Sequence, residues 1–191
     1  MRTRMGEPAD IPGVLALQAE NLYENLTEEA RGKGFVTTPF TVGQLEALRD
    51  QDGLFVAESG GAIVGYAMAA SWDYFSQWPI FPFMVSRLPG LSFQGRALDA
   101  ATSFQYGPVC IAASQRGTGL FPRLFETMRL AMRARYPVGV TFINRINEHS
   151  FRAHTRTLGM TVVDAFDFAG RSYHGLAFDT GASVLRRPDA H

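Results

Sequence analysis

The sequence predicts an α/β domain with one mixed central β-sheet flanked by helices. Three observations carry this prediction. From Ser103 to Leu158, runs with strand periodicity alternate with runs of helical periodicity. Two glycine-bearing junctions, Ser59-Gly60-Gly61 and Ala169-Gly170, each join apolar runs as a hairpin would. Finally, 191 residues with 46% hydrophobic and 19% charged content suffice for one substantial core.

Residues 1–5 read as a short first strand. Asp10 stands where a helix cap belongs, ahead of the apolar positions Val14, Leu15, Leu17, Leu22 and Tyr23. Thr41 opens a second helix over Val42–Leu48. Leu54–Glu58 and Ile63–Ala70 form the first hairpin. From Ser71 to Ala101 periodicity fails, and Trp72, Tyr74, Phe75, Trp78, Phe81, Phe83 and Phe93 crowd among Pro79, Pro82 and Pro89. A linker would be polar, so this stretch reads as an aromatic insertion between the third and fourth strands. Ser103–Ala112 is the fourth strand, Leu120–Arg135 a long helix, Val138–Ile143 a strand, and Asn147–Leu158 a helix ended by Gly159. Thr161–Phe168 and Tyr173–Phe178 close the order as a second hairpin. Residues 1–180 thus make one domain, with the insertion at 71–101, and 181–191 read as a frayed C-terminal tail.

Composition excludes several functions. A formal net charge of zero leaves no electrostatic footprint for nucleic acid or an anionic membrane. Cys110 is the only cysteine, so neither a disulfide nor a multi-cysteine metal site is available. Between Val109 and Ile111 it reads as a buried structural thiol. His149, His174 and His191 share no metal spacing and read as surface residues, so no metal is expected. No signal peptide or membrane span fits the sequence, which makes the cytoplasm the expected location.

The most informative segment is Ile111-Ala112-Ala113-Ser114-Gln115-Arg116-Gly117-Thr118-Gly119-Leu120-Phe121-Pro122-Arg123. It joins a strand to a helix, and its two glycines let the backbone come close to a ligand. Amides of the helix's first turn lack partners and converge as an anion cradle. Pro122 loses nothing there. Arg123 opposes the helix dipole, which a bound anion would reverse; pointing into solvent is the plainer use of Arg116 and Arg123. No lysine follows the glycines as in a P-loop, and Pro122 occupies the third glycine position of a dinucleotide fingerprint. A phosphate-bearing handle, held but not transferred, suits what remains.

This loop resembles the acyl-CoA loop of the GNAT-type N-acetyltransferase superfamily, Arg/Gln-x-x-Gly-x-Gly/Ala with a hydrophobic residue five positions earlier. Arg116 and Gly119 match, Ile111 fills the upstream position and Gly117 follows a common variant; Phe121 departs from the expected small residue. Asn147-Glu148-His149-Ser150, followed by Leu158-Gly159-Met160, is similar to the family's later helix. All but 71–101 falls in the family's order.

The resemblance implies acetyl-CoA as co-substrate, lying between the fourth and fifth strands and donating its acetyl group directly to a primary amine. Backbone around Val109–Ala113, including Ile111, Ala112 and Ala113, would pair with the pantetheine arm. Arg116, Gly117, Thr118, Gly119, Leu120 and Phe121 would hold the pyrophosphate, flanked by Arg123, with Asn147 and Ser150 lining the later helix. The family often places a carboxylate on the fourth strand as base, but Ser103–Val109 contains none, which leaves Glu24, Asp73, a water chain or an acceptor of low pKa. Thr155 stands where members commonly have a tyrosine, so the neighbouring His154 or the strand residue Tyr106 is the candidate proton donor. Local packing of His154 and core packing of Tyr106 are the alternatives. The aromatic insertion is a substrate wall, core packing or a homodimer contact. The partner expected is a small-molecule or peptide amine. A non-catalytic acyl-CoA-binding sensor is the competing reading of the whole chain.

Overall fold

The computed structural model describes residues 1–185. In chain order the elements are β1 (Arg2–Met5), α1 (Ile11–Asn21), α2 (Glu28–Arg31), α3 (Val42–Asp50), β2 (Leu54–Ser59), β3 (Ala62–Ala70), α4 (Trp72–Phe75), α5 (Ile80–Arg87), β4 (Ser92–Phe93), β5 (Arg96–Ala97), β6 (Ser103–Ile111), α6 (Leu120–Met132), β7 (Val138–Asn144), α7 (Glu148–Arg152), β8 (Thr161–Phe168) and β9 (Arg171–Asp179). Seven strands form one sheet in the order β1-β2-β3-β6-β7-β9-β8. All its pairs are antiparallel except β6 with β7, which is parallel. The mixed α/β architecture expected from the sequence is therefore present.

Strand alternation divides the core between the two faces of the sheet. Leu54, Val56, Tyr66 and Met68 pack with Val14, Leu17, Leu45 and Leu48 of α1 and α3. Phe55, Ala57, Ala67 and Ala69 pack against Leu124, Phe125 and Met128 of α6. On β6 the alternation breaks. Phe104 and Tyr106 face α6, whereas Cys110, also an even position, lies in the opposite core. The ladder explains it: Ala67 pairs with Val109 but Ala69 with Tyr106, so β6 carries one extra residue at Gly107-Pro108. Such a bulge reverses every side chain beyond it and bends the strand.

That bend opens the sheet. β6 pairs with β7 only over Ser103–Gln105, and beyond Gln105 the two strands part. Pro108 has no amide hydrogen to give a ladder in any case.

Several elements differ in detail from expectation. Asp10 does not cap α1. Its carboxylate pairs with Arg4 at 2.5 and 2.9 Å and accepts the Glu7 amide at 2.7 Å. Thr41 does cap α3, in a reciprocal box with Gln44. The expected helix 147–158 is α7 followed by a π-helical turn, Ala153–Thr157. The segment 71–101 holds α4, α5 and the β4–β5 hairpin, with Trp72, Tyr74, Phe75 and Phe81 buried. Trp72 donates its indole N–H to Ser103 at 3.0 Å, and Arg87 grips Asp164 of β8 through two bonds of 2.6 and 2.7 Å. These contacts pack the segment into the core. Within the expected tail, Ser183 and the Val184 amide bond the Glu126 carboxylate. Residues 186–191, with His191, lie outside the described residues.

Candidate active site

A cavity of about 440 Å³ opens beside β6 from Val109 onward. Its walls are β6, the loop before α6, α7 with its π turn, and residues 33–36. The register of β3 with β6 determines what β6 presents to it. Ala112 donates its amide to Val64, so the bonded pairs with β3 fall at 110 and 112. Backbone groups of Val109 and Ile111 consequently point away from β3, into the space that β7 vacates. The Ile111 carbonyl is already taken by Arg116 Nε at 3.2 Å. Both residues line the cavity.

At the far end, Gly117 and Gly119 have φ values of 75° and 78°, in the left-handed region where glycine fits without strain. No atom lies within 4 Å of where their side chains would project, so the space beside them is open. Gly119 is the N-cap of α6, a 13-residue helix whose first turn offers unpaired amides and the positive end of its dipole to this space. The structure brings Ile111, Arg116, Gly117, Gly119, Phe121, Ser150 and His154 to one cavity. Ala112, Ala113, Thr118, Leu120 and Arg123 sit beside it without lining it.

Arg116 points inward. Its guanidinium donates to the Asn21 side chain at 3.0 Å, the Lys33 carbonyl at 2.8 Å and the Ile111 carbonyl, tying the loop to α1 and to residue 33. Arg123 bonds the Gly119 carbonyl at 3.3 Å on the exposed side of α6. Asn147 is buried with both amide ends used: Oδ1 accepts the Ser150 amide at 3.2 Å, and Nδ2 donates to the Phe35 carbonyl at 3.0 Å.

A second cavity, of about 90 Å³, lies on the β7 side, among Gln105, Gly107, Thr141, Asn147, Phe81 and Tyr173. Five residues line both cavities: Phe35, Val36, Val109, Ser150 and His154. His154 therefore stands where the two meet. Its Nδ1 donates to the Ser150 carbonyl at 2.7 Å, since a carbonyl can only accept. Burial pushes its pKa down to about 4, against the raising effect of that bond. At neutral pH the ring is uncharged, with Nε2 an acceptor. In the resting site the one N–H of His154 is committed to the backbone, so Nε2 can give a proton only after it has received one.

The other catalytic candidates do not reach the junction. Glu24 is exposed beyond α1 and Asp73 is exposed on α4; neither lines either cavity. Tyr106 is wholly buried among Phe125, Phe178 and the His154 ring, its hydroxyl has no partner among the described residues, and desolvation drives its pKa far up. Cys110 is buried, and desolvation raises its thiol to about 12, as befits a structural thiol. His149, expected on the surface, is exposed yet lines the larger cavity. Sequence reasoning passed over Gly34–Val36 and Thr141, which carry no motif. The one available signal for the opening itself was Gly-Pro in mid-strand.

No family model and no curated protein sequence matches the chain. Solved structures do. An N-acetyltransferase from Staphylococcus aureus Mu50 superposes with a TM-score of 0.62 at 18% identity, over 94% of this chain and 98% of that one. The protein yncA of Salmonella typhimurium, a proposed acetyltransferase with its cofactor acetyl-CoA, gives 0.62 at 19% identity over 100% and 99%. An acetyltransferase of the GNAT family from Streptococcus pneumoniae gives 0.59 at 13% identity over 93% and 98%. The chain has the GNAT fold. In that fold's terms, the GNAT sheet here is split between β6 and β7, and the loop Gln115–Phe121 stands at the mouth of the split. Among the described residues no helix is long and apolar enough to cross a membrane, and no cluster of His, Cys, Asp or Glu has the arrangement of a metal site.

Proposed function

We propose that the protein is an acyl-CoA-dependent N-acyltransferase, taking acetyl-CoA as donor and a primary amine as acceptor. One observation carries this reading: two cavities meet at His154 inside the split sheet, one floored by outward-turned strand backbone and ending at a helix N-terminus. A long phosphate-bearing donor suits the first, and a small nucleophile the second. The residues present fit the coenzyme. The open, left-handed Gly117 and Gly119 and the first amides of α6 suit its diphosphate. Val109 and Ile111 backbone suits the amide-bearing arm. The coenzyme supplies a thioester, whose carbonyl an amine attacks directly.

The chain's own part is to position and to exclude. Phe35, Val36 and Val109 shield the junction from water. His154 Nε2 accepts an N–H of the incoming amine, orienting its lone pair. As the C–N bond forms the amine becomes a much stronger acid and its proton moves toward Nε2; as the C–S bond breaks, the thiolate leaves and that proton can pass to it, releasing a thiol. Titration calorimetry with acetyl-CoA tests the donor site, with Gly119→Glu as the informative variant. A carboxylate in the cradle abolishes binding, whereas Gly119→Asn, which tolerates a left-handed backbone, retains it. Equal affinity in folded Gly119→Glu sinks the assignment.

A second reading rests on the lack of any carboxylate lining either cavity among the described residues. A sensor that holds acyl-CoA without chemistry needs none. Tight acetyl-CoA binding with no thiol release across a panel of amines decides for the sensor.

A further inference from the structure

The smaller cavity does not end at its own walls. Phe35, Thr37 and Asn144 line both it and a third hollow of about 400 Å³, further out on the same side. Along this route the charge changes sharply. Among the described residues, nothing lining the inner cavity carries a formal charge at neutral pH, since His154 is neutral. The outer hollow instead contains Arg145 and Arg171. Both are exposed, and neither forms an ion pair or a side-chain hydrogen bond among the described residues. The nearby Asp167 carboxylate keeps its charge and accepts the Ser172 hydroxyl at 2.5 Å through one oxygen, but it pairs with neither arginine among the described residues. A third cation stands behind them, for Arg31 lies 4.0 Å over the ring of Tyr23, itself a wall of the outer hollow.

An uncharged inner chamber opening onto two unpaired guanidinium groups has a direct chemical reading. We infer that the acceptor is an amine bearing a carboxylate at its far end, the amine entering the inner cavity uncharged and the carboxylate resting on Arg145 and Arg171. Guanidinium groups match carboxylates in geometry as well as charge. No carboxylate waits inside to hold an ammonium ion, so a terminal α-amine, with an ordinary pKa near 7.7–8, enters far more readily than a lysine-type amine near 10.4. Short peptides with a free C-terminus combine both properties. This inference rests on the acyltransferase reading and goes beyond it in naming the acceptor.

The test uses glycine and its di-, tri- and tetrapeptides, each as free acid and as C-terminal amide, with acetyl-CoA at pH 8. Thiol release is followed. At the chain length that spans the two hollows, the free acid exceeds its amide by roughly three- to tenfold in kcat/KM, as expected for two exposed ion pairs. In Arg145→Gln/Arg171→Gln the free acid falls to the value of the amide, and added salt erodes the preference in the parent protein. A preference absent at every length, or undiminished in the double variant, overturns the inference; so does failure of all eight acceptors while calorimetry still detects acetyl-CoA. Loss of acetyl-CoA binding itself refutes the underlying function instead, which keeps the two failures apart.

Discussion

His154 shows how burial redirects a side chain's chemistry. An exposed imidazole shares its proton with water near neutrality; this one is 3% exposed and gives its N–H to the Ser150 carbonyl. The depressed pKa has a consequence for stability. Unfolded, the ring binds its proton below its ordinary value of about 6.5, while the folded site resists until about 4. The contribution is therefore complete above about pH 6.5 and is lost as pH falls toward 4. Urea titrations at pH 7 and pH 4.5 should differ by roughly 2–3 kcal/mol more in the parent than in His154→Gln. His149 and His174 are shifted the same way, so the difference between the two proteins isolates this ring. If Nε2 also receives the amine's proton, His154→Gln loses about a hundredfold in kcat with acetyl-CoA affinity retained. Undiminished turnover removes His154 from the mechanism. Arg116 teaches a similar lesson, because its three bonds hold the protein to itself; on the proposed function the diphosphate would then rest on backbone amides.

At the scale of elements, α6 is held at both ends. Its first turn faces the larger cavity, and its far half carries a buried pair, Glu126 with Arg129, joined by bonds of 2.6 and 2.9 Å. Arg129 also donates to the Thr180 carbonyl, and Glu126 accepts from Ser183 and Val184. The pair thus fastens the C-terminal segment across the helix that presents the cradle. Arg129→Ala leaves a buried carboxylate without its partner and should cost about 3–5 kcal/mol. Glu126→Gln combined with Arg129→Met should cost distinctly less, since no bare charge remains. Thermal or urea unfolding of the two variants reads this directly, and equal losses would show that packing, not charge, holds the segment. The β6 bulge is the other decisive element. One extra residue at Gly107-Pro108 moves Cys110 to the opposite core, turns the strand from β7 and creates the space in which both cavities lie.

For the whole molecule, ligand and fold are coupled by mass action. On the proposed function, a coenzyme held by β6, α6 and α7 together would bind the folded state alone. At a free concentration one hundred times its Kd, acetyl-CoA should add about 2.7 kcal/mol. In a chain of this length that raises Tm by about 5–11 °C. Differential scanning calorimetry with and without acetyl-CoA measures it, with desulfo and dephospho analogues showing which part of the coenzyme contributes. An unmoved Tm at high acetyl-CoA would contradict the donor site. The segment 71–101 belongs to this scale as well. It reads in isolation as an aromatic surplus, yet it closes one face of the sheet and lends only Phe81 to the smaller cavity.

Most of the elements and the loop that opens α6 could be read in advance, because their signals are local. Alternation marks strands, a glycine pair marks the turn before a helix, and Thr41 announces the start of α3. The site's chemistry could not be read that way. Whether His154 donates or accepts depends on a carbonyl four residues away and on rings from β6 and α6 around it. Whether Arg116 meets a ligand depends on Asn21, 95 positions earlier. Which residues face the acceptor depends on a bulge that shifts a whole strand by one. Solvation and partnership arise only when distant segments meet, so amino-acid order settles the scaffold, and three-dimensional assembly settles what its side chains can do.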